Sequence, residues 1–345
     1  MHSYALLLTE NHNRVYYEES KKLAKAELEI AVNMISTKCY DIEGEVIGGV
    51  YYVVFKAENL LSDDDLRIIS NLSFVYAIYQ REEKNDNIYF LPVLKNNESF
   101  IDKDISSILK YSGKTNETFT RMMINVALFN YKSKNDEKIK LLDPICGKGT
   151  SLFEGLTMGL DVYGVEINKK AVNESYHYLK KYLETKRYKH IARIEKYNRK
   201  QNSYIKHCFD ISKTKEEFKN KQYTKCEMVF GDSSILDEYY KNDFFNIIVG
   251  DLPYGVQHAN LNNQQVSRSP KLLLLDCLPS WKKVLRKNGV IVLAWNQHVL
   301  DRNTIVDIFE KSGFEVEDIG VYLNFIHRVD NAIKRDIIVA KKYSI

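Results

Sequence analysis

The chain has 345 residues, 44% of them hydrophobic and 28% charged, a composition typical of globular proteins at a length that predicts two domains. Its longest apolar runs, such as Leu272 to Leu275 and Val290 to Trp295, are too short to cross a membrane, no secretory signal is visible, and the five cysteines lack zinc-ligand spacing, so a reducing cytoplasm is the expected compartment. The net charge of +4 conceals a segregation: Lys169 to Lys225 holds 17 Lys or Arg against 6 Asp or Glu, a balance of +11 that leaves −7 for the remainder. Such a segment suits a polyanionic partner, and a solvated helical face in a lysine-rich chain accounts for it equally well.

The first hundred residues mix strand and helix signals. Tyr4 to Thr9 is a short apolar run, and Lys22 to Ile35 carries Leu23, Ala24, Leu28, Ile30, Ala31, Met34 and Ile35 at helical spacing. Gly48-Gly49 opens the β-branched and aromatic strand Val50 to Phe55, and Ser62 is placed to cap a short acidic helix through Asp63 to Asp65. Strands near Phe74 to Tyr79 and Ile88 to Leu94 follow. Polar residues around Asn96 to Lys114 mark a domain boundary, giving an N-terminal α/β module over 1–105 and a second domain over 106–345.

A helix from Thr115 places Phe119, Met122, Met123, Val126 and Ala127 on one stripe, which predicts core packing for Phe119. From Lys138 onward strands alternate with helices. The strands fall at Ile139 to Asp143, Asp161 to Glu166, Met228 to Asp232, Asn246 to Asp251 and Val290 to Trp295. A last pair lies near Val316 to Phe325 and Arg335 to Lys341, and Gly289 reads as a helix C-cap before the fifth strand. The alternation predicts an α/β fold with a mostly parallel sheet covered on both faces. A basic stretch around 180–225 is longer than a crossover requires and reads as an insertion or an extended helical arm.

Asp143-Pro144-Ile145-Cys146-Gly147-Lys148-Gly149-Thr150 joins the first of these strands to a helix. Glycines there let backbone amides approach a ligand, and the helix N-terminus adds partial positive charge. The third glycine of a dinucleotide fingerprint would fall at Leu152, which argues against a nicotinamide enzyme. Glu166 ends the second strand, at a spacing from the glycines that suits two ribose hydroxyls; an acid there also serves as a helix cap or surface residue. Asp232 ends the third strand, where it can accept from an adenine amine or, followed by Ser233-Ser234, cap a helix.

Asp251-Leu252-Pro253-Tyr254 ends the fourth strand. Methyl transfer to a flat aromatic amine needs acceptors for the amine hydrogens, which the Asp251 carboxylate and Leu252 carbonyl can supply. Tyr254 can stack on the ring, and Pro253 stiffens the turn; a strand followed by a proline turn with Tyr254 merely packed accounts for the same residues. The polar stretch Gly255 to Pro270, with His258 as a substrate contact at most, reads as a lid or base-reading loop.

Together these motifs resemble the THUMP-associated RNA methyltransferase group, closest to the tRNA guanine-N2 methyltransferases. That pattern is a D-P-x-C-G-x-G-T loop followed by D/N-P/L-P-Y/F-G; Asp143 to Thr150 and Asp251 to Gly255 match it, within a resemblance covering Thr115 to Lys342. The N-terminal module resembles the group only through Ala26-Glu27-Leu28-Glu29 and is short for the group's leading region plus a complete THUMP domain. The resemblance implies a Rossmann-like class I methyltransferase domain with S-adenosylmethionine as cofactor. It implies cofactor contacts from Asp143, Pro144, Cys146, Gly147, Gly149, Thr150, Glu166 and Asp232, and catalytic roles for Asp251, Leu252, Pro253 and Tyr254. The implied partner is RNA, in particular tRNA methylated at guanine-N2. Ribosomal RNA guanine, DNA adenine-N6 and a protein glutamine are the alternative acceptors, and an inactive nucleic-acid-binding protein of the same fold is the alternative class.

Overall fold

Strand β1 (His2–Leu8) buries Tyr4, Ala5, Leu6 and Leu8. Tyr4 stacks on Phe55 with ring centroids 5.3 Å apart. Helix α1 (Arg14–Ala31) starts earlier than the periodicity predicts and buries Leu23, Leu28 and Ile30. Strands β2 (Cys39–Ile47) and β3 (Val50–Ala57) pair antiparallel across Gly48 and Gly49, whose φ values of 58° and 85° suit a two-residue hairpin turn. Ser62 and Asp65 form a reciprocal capping box on α2 (Asp63–Ser70). Strands β4 (Val75–Lys84) and β5 (Asn87–Val93) complete an antiparallel sheet in the order β2-β3-β1-β4-β5.

In this computed structural model, residues 1–10, 14–93, 99–109, 113–131, 138–199, 202–253 and 269–343 are described. The chain forms two compact units: residues 1–98 with 318–336, and residues 99–317 with 337–345.

The second unit begins with α3 (Asp104–Ile108) and α4 (Glu117–Asn130), the latter capped by the Asn116 side chain on the Phe119 amide at 3.0 Å. The parallel strands are β6 (Lys140–Asp143), β7 (Asp161–Glu166), β10 (Thr224–Phe230), β11 (Phe245–Asp251) and β12 (Leu285–Asn296). Between them run α5 (Thr150–Thr157), α6 (Lys169–Thr185), β8 (Lys189–Arg199), β9 (Asn202–Ser212), α7 (Lys215–Lys219), α8 (Leu236–Tyr239) and α9 (Pro270–Val284), and α10 (Arg302–Lys311) and β13 (Phe314–Val316) follow. The chain then returns to the first unit, where β14 (His327–Arg328) pairs with the start of β15 (Lys334–Lys342), and the rest of β15 joins the second unit.

The sheet of the second unit runs β13-β15-β12-β11-β6-β7-β10-β9-β8. It is mixed: the central strands are parallel, as the alternation predicts, and β9, β8 and β13 pair antiparallel with their neighbours. Strand order reverses between β6 and β11, which makes the carboxyl ends of these two strands the switch point where such sheets bind ligands. Apolar residues of β11 and β12 are buried on both faces, and Trp281 and Trp295 are fully buried, their indole N–H groups donating to the Ser233 and Leu300 carbonyls at 3.0 and 2.7 Å.

Three local expectations are corrected. The basic stretch is the hairpin β8–β9, which extends the sheet rather than forming a helical arm; Tyr197 stacks on Tyr204 at 5.4 Å across the pair. Gly289 does not cap α9, which ends at Val284; the left-handed position belongs to Asn288, φ 59°, and Gly289 lies within β12. The strand expected over Val316 to Phe325 stops at Val316 and gives way to a 3-10 turn over Gly320–Leu323.

Candidate active site

A cavity of about 190 Å³ opens at the switch point, lined by Asp143, Gly147, Thr150, Gly250, Asp251 and Pro253 among others. Asp143 is the last residue of β6 and Asp251 the last of β11, so parallel pairing of Ile247 and Ile248 with Leu141 and Leu142 brings both acidic motifs to one end of the sheet. Gly147 and Gly149 take positive φ, 52° and 86°, which turns the chain sharply from strand into helix; a side chain at Gly147 would meet nothing within 4 Å, so its backbone is open to approach. Cys146 packs into β7 instead. Its amide donates to the Val165 carbonyl at 3.0 Å, and a Cβ on Gly164 would lie 2.7 Å from its sulfur, so the loop sits down on the strand only because residue 164 is glycine. Burial holds the Cys146 thiol protonated, pushed well above its ordinary range.

Glu166 closes the loop from the far side. Its Oε2 accepts the Gly147 amide at 2.9 Å and its Oε1 accepts the Asn168 amide at 2.7 Å, and each carboxylate oxygen keeps a second lone pair for a hydroxyl. Asp232 does not line the cavity; its side chain caps the 3-10 turn Ser233–Ile235 by accepting the Ser234 amide at 2.8 Å. Pro144 is buried and also lies off the cavity wall, whereas Cys146 and Thr150 line it. Leu252 and Pro253 line it too, and the Leu252 amide donates to the Ala294 carbonyl at 2.8 Å, tying the turn after β11 to β12. Phe119 is fully buried and absent from the wall. Tyr254, His258 and the polar stretch through Arg268 lie outside the described residues.

The wall also includes residues that motif reading passes over. Thr115 donates through Oγ1 to Asp251 Oδ2 at 2.6 Å, 136 residues away. Ser151 donates to Asp143 Oδ2, while the Ile145 amide donates to Oδ1 at 3.0 Å. Asp143 is buried, and removal from water raises its carboxyl to about 7 against those two bonds, with the charges of Glu166 and Asp251 adding to the rise. Lys148, inside the loop, pairs with Glu174 of α6 at 2.6 Å. A position beside the motif was the only sequence signal for Ser151; Thr115 had none.

Much of the charge in the basic segment is committed internally. Arg193 pairs with Asp210 and Glu195 at 2.7 and 3.0 Å, Lys186 with Asp102 and Asp104 at 2.9 and 2.7 Å, and Lys206 with Glu227 at 2.7 Å. Among the described residues, the exposed Lys169, Lys180, Lys181 and Lys196 form no ion pair. Also among the described residues, no helix is long and apolar enough to cross a membrane.

The glycine turn, the adjoining carboxylates and the open cavity at the switch point fit S-adenosylmethionine, which needs backbone approach to its amino-acid end and an acid for its ribose. Similar solved structures include a SAM-dependent methyltransferase from Methanosarcina mazei, 17% identical over 63% of this chain and 97% of its own, TM-score 0.37. An rRNA methylase from Streptococcus thermophilus is 10% identical over 61% and 89%, TM-score 0.35. A candidate RNA methyltransferase from Pyrococcus horikoshii is 17% identical over 69% and 95%, TM-score 0.38. Comparison with curated proteins gives no match. Residues 110–314, more than half of the chain, match the family described as RMKL-like, methyltransferase domain, and the chain therefore belongs to that family of S-adenosylmethionine-dependent methyltransferases.

Proposed function

We propose that this chain is a cytoplasmic tRNA methyltransferase of the THUMP-associated group that transfers a methyl group to the exocyclic N2 amine of a guanine. The observation that carries the reading is the shared cavity: the glycine loop after β6 and Asp251-Leu252-Pro253 after β11 line the same small space. An acceptor amine at Asp251 would therefore lie beside a cofactor held by the loop.

S-adenosylmethionine, when bound, supplies an electrophilic methyl group. Asp143, Gly147, Gly149 and Thr150 would hold its amino-acid end and Glu166 its ribose. Asp251 receives an amine hydrogen and so turns the nitrogen lone pair toward the methyl, Leu252 offers its carbonyl to the second hydrogen, and Pro253 stiffens the turn that presents both. Tyr254 follows in sequence as the ring on which the guanine stacks. Orientation supplies most of the acceleration, because aligning two bound reactants replaces a bimolecular encounter. The guanine would be taken out of its stack to enter a space this small. The unpaired lysines on α6 and β8, Lys169, Lys180, Lys181 and Lys196, would contact phosphates, and the first unit would add RNA surface.

The test is incubation with labelled S-adenosylmethionine and, separately, unmodified tRNA, ribosomal RNA, DNA and protein extract, followed by digestion and mass spectrometry. N2-methylguanosine from tRNA is the expected product. Label in adenine or in protein would overturn the acceptor assignment and leave the amine chemistry standing.

A further inference from the structure

The hydrogen bond between Thr115 and Asp251 links the acceptor motif to a segment outside the sheet. Thr115 Oγ1 lies 2.6 Å from Asp251 Oδ2, and both residues line the cavity. The bond runs from the hydroxyl to the carboxylate, so the Thr115 proton is committed to Oδ2.

The hydroxyl is also held firmly. Thr115 sits directly before the N-cap Asn116, whose side chain accepts the Phe119 amide at 3.0 Å and whose carbonyl accepts the Thr120 amide at 2.9 Å. The helix that follows is buried along most of its length, including Phe119, Met122, Met123, Ile124, Val126 and Ala127. On the other side Lys114 is largely buried, donates to the Ser106 carbonyl and pairs with Glu117. A backbone fixed on both flanks leaves a β-branched threonine few rotamers to lose when it forms a bond, so it can fix a partner rather than follow it.

We propose that Thr115 is the positioning residue for Asp251: its hydrogen bond to Oδ2 sets the plane of the carboxylate at the cavity wall. This inference rests on the methyl-transfer reading of Asp251 and deepens it. The sequence carries no sign of the pairing, since the partners are 136 residues apart. Loss of the bond leaves the cofactor loop untouched, so the effect falls on the rate of transfer and not on cofactor affinity. A misaligned acceptor of this kind costs up to about 100-fold in rate.

Five proteins decide it: wild type, Thr115→Val, Thr115→Ser, Asp251→Asn and the double variant Thr115→Val with Asp251→Asn. Single-turnover transfer is measured with the acceptor that takes label, cofactor affinity by calorimetry, and folding by thermal melting. The expected pattern is a transfer rate roughly 10- to 100-fold lower in Thr115→Val, unchanged cofactor affinity, recovery in Thr115→Ser, and no further loss when Thr115→Val is added to Asp251→Asn. Equal rates in Thr115→Val and wild type would overturn the positioning role alone. An additive loss in the Asp251→Asn background would do the same, by showing that Thr115 does not act through Asp251. A folded wild type that labels no RNA, DNA or protein would overturn both this inference and the reading beneath it.

Discussion

Glu166 accepts the Gly147 backbone amide at 2.9 Å, joining the end of β7 to the turn after β6. The acid therefore shapes the glycine loop, and in the proposed reading it also receives the ribose. Glu166→Ala removes both functions at once. We expect cofactor affinity to fall about 10- to 100-fold, the 1.4 to 2.7 kcal/mol scale of one or two charge-assisted hydrogen bonds. Isothermal titration with S-adenosylmethionine checks it. Unchanged affinity would remove Glu166 from the cofactor site.

Asp251→Ala separates binding from transfer. The Ala side chain cannot receive an amine hydrogen, whereas the glycine loop follows a different strand. Transfer should drop by about 100-fold or more with cofactor affinity within a factor of two or so, because the missing carboxylate serves the orientation and electrostatics of the acceptor. Full activity in a folded Asp251→Ala protein would show that the motif does not carry the chemistry.

Asp143 gives a pH dependence of defined sign. Its carboxyl titrates near 3.8 when exposed and at about 7 in the fold, so between these values the folded state holds a proton that the unfolded state has released. The stabilisation is complete below 3.8, declines as pH rises through the interval and is gone above about 7. Asp143→Asn keeps hydrogen-bonding atoms for the Ile145 amide and Ser151 and does not titrate. The variant should melt above the wild type at pH 8, with the gap closing toward pH 4; its ceiling is on the order of 4 kcal/mol. A gap independent of pH would mean that Asp143 is ionised throughout.

Lys206 locks the β8–β9 hairpin to the core. Its ammonium is buried, donates to Glu227 at 2.7 Å and to the Tyr239 carbonyl at 3.3 Å, and lies 4.4 Å from the Tyr240 ring centroid. Lys206→Met leaves Glu227 without its cation and should destabilise by about 3 kcal/mol. Adding Glu227→Gln should recover part of that. A denaturant titration in which both variants match the wild type would assign the pair no structural weight.

The unpaired lysines predict a salt effect. If Lys169, Lys180 and Lys181 meet phosphates, replacing all three by alanine should weaken RNA binding and flatten the dependence of log affinity on log salt by roughly 0.7 to 0.9 for each phosphate no longer neutralised. The same replacement at Arg193, already paired with Asp210, should leave the slope alone. Filter binding across a salt series distinguishes the two sets, and identical slopes in all variants would remove α6 from the RNA path.

The α/β class, the parallel core strands and the glycine turn were legible in the sequence because each depends on neighbours along the chain. Buried strands read as short apolar runs such as Asn246 to Asp251, and a sharp strand-to-helix turn demands glycine at residues 147 and 149. The capping box at Ser62 was legible for the same reason, since its partner Asp65 lies three residues away. Tertiary pairing decided the rest. The hairpin β8–β9 read as an insertion or a helical arm because its lysine-rich run shows no clean strand period, and only the pairing of β9 with β10 shows that it belongs to the sheet. Residues 318–336 join the first unit, where the Lys22 ammonium reaches the Ile326 carbonyl at 3.3 Å across 304 residues. Asp232 and Glu166 both end strands in the sequence, yet one caps a turn and the other closes the glycine loop, a difference set by which strands lie side by side. Local chemistry therefore determined the elements and the two motifs, whereas the meeting of Asp143 with Asp251 and of Asp251 with Thr115 was decided by strand order and helix packing, because pairings between distant residues leave no period or spacing along the chain.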